Sequence, residues 1–249
     1  MSDSEDEPTL FEVKESHLDT GLRGIPVGTC RTSFVDTIKG VHYVGYPITD
    51  LAEMDPEDII FLLFEKRLPN RHESQEFRKD LSARAEEMPA GTLRVLESLT
   101  PGSGHPMDWL ALGIQALGIA DTTGDVREDG LNLIARMPEL MATIFLLRGG
   151  HGLPESGSEP ERGMVENFVH LLGKSGGDSD KMVRVLRTFL VLHMDHGGGN
   201  LSTFSGKCVA SGKASLYASM SSAMNALSGP LHGRANQSCL EFIQRIGTS

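Results

Sequence analysis

Cysteine is scarce: only Cys30, Cys208 and Cys239 occur among 249 residues. Their odd number, wide spacing and lack of any CxxC exclude a disulfide framework and a zinc ribbon. Free thiols, mostly packed in the interior, are expected instead. Long apolar runs are missing too. Ile59–Phe64 and Ala142–Leu147, the second broken only by Thr143, fall far below the roughly 18 residues that a bilayer-spanning helix needs. No membrane partner is expected. Positive charge is in deficit, with Lys+Arg 23 against Asp+Glu 34 and a net charge of −11. Such a chain repels phosphate backbones and anionic lipid, so no nucleic-acid partner is expected and small metabolites or proteins are better candidates. The opening MSDSEDEP is acidic where a secretory or mitochondrial leader is basic, which predicts no targeting segment and a cytoplasmic location.

The apolar share of 39% is that of an ordinary globular protein able to bury a core. Residues 1–20 read as an acidic arm. GLRGIPVGTC and GVHYVGYPI are short β-branched pieces punctuated by Gly and Pro, which predicts a small hairpin. From Asp50 onward the pattern turns helical. Asp55-Pro56-Glu57 supplies an N-cap, a proline at the first helical position and an acid in the first turn. Further helices are predicted over 70–87, 90–98, 105–118, 128–147, 161–173, 178–196, 203–227 and 231–246, which makes the fold all-α with one short hairpin near the N-terminus. Within 205–228, Gly, Ala and Ser fill more than half of the positions, so that helix is expected to be central and closely approached by neighbours.

Two clusters place histidine beside glycine: Leu192-His193-Met194-Asp195-His196-Gly197-Gly198-Gly199-Asn200-Leu201-Ser202 and Gly229-Pro230-Leu231-His232-Gly233-Arg234-Ala235-Asn236. His193 and His196 share a face at the end of a helical run, and the glycines after them permit tight backbone geometry around a small anion. His232 precedes a helical segment, where the positive helix terminus favours a neutral imidazole that can donate to a developing oxyanion. No metal site is expected, because His193-x-x-His196 lacks HExxH spacing and Asp195 points around the helix from both histidines. Gly173-Lys174-Ser175 hints at a phosphate loop, but Phe168 stands where that motif needs glycine. No GxSxG supports a hydrolase triad. His17, His42, His72, His105, His151 and His170 read as structural or surface residues.

HMDHGGGNLSTF, followed about thirty residues later by GPLHGRANQ, resembles the paired signature of the citrate synthase family, which includes 2-methylcitrate synthases. GLRGIPVGT, VHYVGYPITDLA, PMDWLALGIQALG, LIARMPELMATIFLLR and ENFVHLLG are similar, in order, to its preceding segments, so the likeness covers roughly residues 21–247. The resemblance implies a homodimer of helical subunits with a large and a small domain, and an enzyme that condenses acetyl-CoA, or propionyl-CoA in the methyl branch, with oxaloacetate. No cofactor is implied beyond the acyl-CoA substrate. His232 resembles the catalytic histidine that hydrogen-bonds the thioester carbonyl, and His196 the oxaloacetate-binding one. His193 and Asn200 share that motif as supporting substrate-binding residues. Gly197 stands where many relatives carry Glu. Residues 21–249 resemble the large domain, without the GxGHxxY motif and the catalytic aspartate of the family's small domain, so the isolated chain is expected to be inactive unless a second chain supplies them. A non-catalytic scaffold with the same fold is the alternative.

Overall fold

The computed structural model describes Thr9, residues 11–19, Pro26, and residues 28–85, 87–173, 177–195, 197 and 199–247. The predicted hairpin forms as β1 (Ser33–Asp36) and β2 (Gly40–Tyr43), extended by a two-residue β3 (Tyr46–Pro47) into an antiparallel sheet of order β1-β2-β3. Its tight turn follows from Asp36, whose Oδ1 accepts the N–H groups of Ile38 and Lys39 at 2.7 Å each, and from Gly40 at φ 80°. The register sets Ser33 opposite Tyr43. Phe34, Val35 and Ile38 stay exposed, whereas Tyr43 is fully buried against Leu51, Ile59, Leu62 and Val191.

Helices make up the rest: α1 (Ile48–Leu51), α2 (Pro56–Glu65), α3 (Arg71–Arg84), α4 (Ala90–Glu97), α5 (Pro106–Asp121), α6 (Val126–Arg148), α7 (Met164–Leu171), α8 (Gly177–Leu192), α9 (Leu201–Ser211), α10 (Leu216–Leu227) and α11 (Arg234–Gly247). Asp55 occupies the N-cap position of α2 but makes no capping hydrogen bond. Its carboxylate instead pairs with Arg78 and Arg187, bridging α3 and α8. α3 opens on a capping box between Asn70 and Glu73, and His105 caps α5 in the same manner with Asp108.

The expected single helix over 203–227 is two helices. Gly212 ends α9, Lys213 takes a left-handed φ of 59°, and the Ser215 hydroxyl accepts the N–H of Ala218 to start α10. The small residues then serve a helix-to-helix approach: Ser205 Oγ meets Ser222 Oγ at 2.6 Å, and a Cβ on Gly206 would lie 3.2 Å from the Ser219 carbonyl oxygen. The expected central position holds for α10 and fails for α9, which has no buried residue. α10 lies on α5, with Tyr217 against Gly118 and Ser221 Oγ donating to the Ala111 carbonyl at 2.8 Å. Trp109, Ile114, Leu117, Leu140 and Tyr217 form the largest apolar cluster around this crossing. The thiols also depart from expectation, since Cys30, Cys208 and Cys239 are free but exposed.

Candidate active site

The loop that follows α8 is held from two sides. At its start, the phenol of Tyr43 donates to the Val191 carbonyl at 3.0 Å and accepts the N–H of Asp195 at 3.3 Å. Burial pushes the Tyr43 phenol above its usual range, which keeps the hydroxyl protonated for this double role. Asp195 Oδ1 accepts the Ser33 hydroxyl and the N–H of Gly197, each at 2.9 Å. Gly197 lies at φ 78°, where a residue with a side chain is strained, so a Glu at this position would be opposed by the backbone and not by lack of space.

At the far end, Asn200 caps α9. Its Oδ1 accepts the N–H of Thr203 at 2.8 Å, and its Nδ2 donates to the Gly197 carbonyl at 3.3 Å. The first turn of α9 then presents Ser202, whose Oγ lies 2.6 Å from Nε2 of His232. His232 is half-buried in the turn before α11, and its N–H donates to the Gly229 carbonyl at 3.0 Å. A Cβ on Gly233 would come within 2.7 Å of the Leu227 carbonyl oxygen, so only glycine allows the chain to turn beside His232. The helix after this turn begins at Arg234, not at 231 as expected, leaving His232 just outside the helix terminus. His105, whose Nε2 meets Gln237 Oε1 at 2.7 Å, ties α11 back to α5.

Asn200 therefore caps the same first turn of α9 whose Ser202 contacts His232. Ser202 stands in the first histidine motif, but its pairing with His232, 30 residues on, has no signal in the chain. His193 is placed differently. Its ring stacks on Phe189 at 4.1 Å and its Nδ1 faces the Phe189 carbonyl at 2.8 Å, on the exposed side of α8. His196 lies outside the described residues. Nearby, the exposed Cys30 thiol approaches Thr32 Oγ1 at 3.4 Å and Ser33 Oγ at 3.7 Å. Partial burial pushes this thiol up, but hydrogen bonding by the Thr32 and Ser33 hydroxyls and N–H groups outweighs it and lowers the pKa to about 7.

Two cavities lie elsewhere. One, of about 580 Å³, separates α3 from α6, α7 and the segment before α7 and is lined by Glu57, Arg78 and Arg162. The other, an apolar groove of about 610 Å³ rich in methionine, runs from Met107 to Met194. His193, Asn200 and His232 line neither. Among the described residues no group of three or more His, Cys, Asp and Glu side chains is placed to hold a metal ion.

Residues 21–249 match the family described as "Citrate synthase, C-terminal domain". The chain is 31% identical over 252 residues to citrate synthase 4, mitochondrial, of Arabidopsis thaliana, covering 91% of this chain and 52% of that protein. It is 30% identical over 264 residues to 2-methylcitrate synthase, mitochondrial, of Fusarium solani, covering 96% and 55% respectively. For the peroxisomal citrate synthase of Saccharomyces cerevisiae the identity is 30%, over 90% of this chain and 52% of that one. The crystal structure of citrate synthase from Thermotoga maritima superposes with a TM-score of 0.77 at 27% identity, over 91% of this chain and 60% of that chain. The chain spans about half the length of the curated relatives it matches. The expected cytoplasmic location is overturned by these relatives, which are mitochondrial or peroxisomal proteins. With a family match over nearly all of its residues and a mainly helical fold shared with solved citrate synthases, the chain belongs to the citrate synthase family.

Proposed function

We propose that this chain supplies the large-domain part, residues 21–249, of a citrate synthase family active site that condenses acetyl-CoA with oxaloacetate and releases citrate and CoA. The observation that carries this reading is the 2.6 Å contact of Ser202 with His232, which joins the two histidine motifs in one place. With the Ser202 hydroxyl donating to Nε2, the opposite ring nitrogen of His232 holds the proton and can donate to a thioester carbonyl oxygen. That donor stabilises the enol formed when a carboxylate removes the α-proton. The enol carbon then bonds to the ketone carbon of oxaloacetate, and water cleaves the thioester. The family resemblance assigns that carboxylate to the small domain. His196 and Asn200 are assigned to oxaloacetate, and His193 to the support of that loop.

The equal likeness to a 2-methylcitrate synthase makes propionyl-CoA the second candidate acyl donor. Comparing kcat/KM for the two thioesters decides between them. Loss of the His232 donor in the complete enzyme, as His232→Ala, is expected to lower turnover on the order of 10² to 10³-fold, the cost of one oxyanion donor. An unchanged rate overturns the assignment, and absence of any oxaloacetate binding in calorimetry favours a scaffold.

A further inference from the structure

We propose that Asp195 is a positioning residue, and that the small sheet serves as the seat that holds the oxaloacetate-binding loop in its working shape; this rests on the function proposed above. Asp195 stands in the chain between the two loop histidines, yet its carboxylate is spent on structure. Oδ1 takes hydrogen bonds from Ser33 of β1 and from the N–H of Gly197, both at 2.9 Å. Its own N–H goes to the Tyr43 hydroxyl of β2 at 3.3 Å.

Ser33 and Tyr43 are directly opposed in the β1–β2 register. Residues opposed across an antiparallel pair project from the same face, so one cross-strand pair offers both a hydroxyl donor and a phenol acceptor to a single residue 162 positions away from Ser33. The other face of the sheet is exposed at Phe34, and its turn at Ile38, so the strands bury little apart from Tyr43. A three-stranded sheet this small has slight stability of its own. The hydroxyls of the Ser33–Tyr43 pair are matched to Asp195.

Two consequences bear on ligand binding. A bare carboxylate beside a dicarboxylate substrate would repel it, whereas the donors from Ser33 and Gly197 hold that of Asp195 in place and disperse its charge. The bond to the N–H of Gly197 works together with the Asn200 Nδ2 bond to the carbonyl of the same residue, so Asp195 and Asn200 hold Gly197 from both sides and Asp195 helps to set Asn200, the residue assigned to oxaloacetate. Asp195 thereby acts on the substrate only through its neighbours.

The test is a KM-against-kcat comparison in the complete enzyme. Ser33→Ala is expected to raise the KM for oxaloacetate about tenfold, the scale of one lost hydrogen bond to a charged group, and Asp195→Ala, which removes the Ser33 and Gly197 bonds together, by at least as much, while the KM for acyl-CoA stays within about twofold. The double variant should be no worse than Asp195→Ala, because both remove the same bond. Asp195→Asn, which keeps the acceptor oxygen, should recover most of the affinity lost in Asp195→Ala. Ser33 lies on a partly exposed strand, so its variant probes the bond even where an Asp195 variant folds poorly. An oxaloacetate KM unmoved by Ser33→Ala and Asp195→Ala, in an enzyme that His232→Ala still cripples, overturns the inference alone. Full turnover in His232→Ala overturns the functional reading beneath it.

Discussion

Glu57 is 5% exposed at the junction of α2 and α7, where its Oε1 accepts the N–H of Met164 at 2.8 Å. It stands in for the side-chain cap that Gly163 cannot provide. Burial pushes its pKa up, further than the Met164 N–H pulls it down, and the carboxylates of Glu166 and Asp58 add to the rise. A folded value above the unfolded one means that the stability contributed by the protonated carboxyl is present below about pH 4.3 and is lost as pH rises through the folded pKa. Glu57→Gln keeps the acceptor and removes the ionisation. Its melting temperature should therefore fall less than the wild type's as pH rises from about 4.3 towards neutrality, and equal slopes would count against the assignment. Cys30 offers a second titration. With Cys208 and Cys239 replaced by serine, its alkylation rate should reach half its maximum near pH 7, and Thr32→Val should move that midpoint upward. An ordinary thiol profile in the first variant refutes the hydrogen-bonded thiol.

Helix crossings decide the centre of the molecule. α5 approaches α10 so closely that a Cβ on Gly118 would stand 2.6 Å from Cγ of Tyr217. Tyr217 is fully buried and has no room to retreat. Gly118→Ala is therefore expected to destabilise the fold by about 1–3 kcal/mol, read by urea unfolding, despite the better helix propensity of alanine. Ser215→Ala, which removes the cap of α10, should cost about 1 kcal/mol. Most of these elements were legible in the chain. Helix starts expected at 70, 90 and 105 lie within one residue of those of α3, α4 and α5, and Pro56 opens α2 as expected, because such signals act on the local backbone alone. The break between α9 and α10 was not legible, since Gly212-Lys213-Ala214-Ser215 continues an alanine- and serine-rich pattern that propensity reads as one helix.

At the scale of the whole molecule, α8 leaves Met182, Val185, Phe189 and Leu192 exposed along its length, and α11 leaves Leu240, Phe242, Ile243 and Ile246. If the chain forms the homodimer that the family resemblance implies, these apolar faces are the surfaces expected to carry it. Sedimentation equilibrium of the complete enzyme should show a dimer, and Val185→Glu should shift it towards monomer. A wild type that remains monomeric refutes the expectation. The motifs contain His193, Asn200, Ser202 and His232, but the chain does not announce that Ser202 meets His232 or that His193 faces outward on Phe189. Asp195 could be judged from the sequence solely as a metal ligand, because its partners Ser33 and Tyr43 lie far away in the chain.

The sequence by itself determined the helical class, the hairpin, most helix starts and the family, because periodicity, caps and turn residues act over a few neighbouring positions and motifs are contiguous. Only the tertiary structure decided which distant groups meet. Ser202 reaches His232 because α9 turns back on α10, and Asp195 reaches Ser33 because α8 ends against the strand pair that buries Tyr43. Such meetings depend on how helices pack and on strand register, which are properties of the assembled core and not of any local stretch of chain.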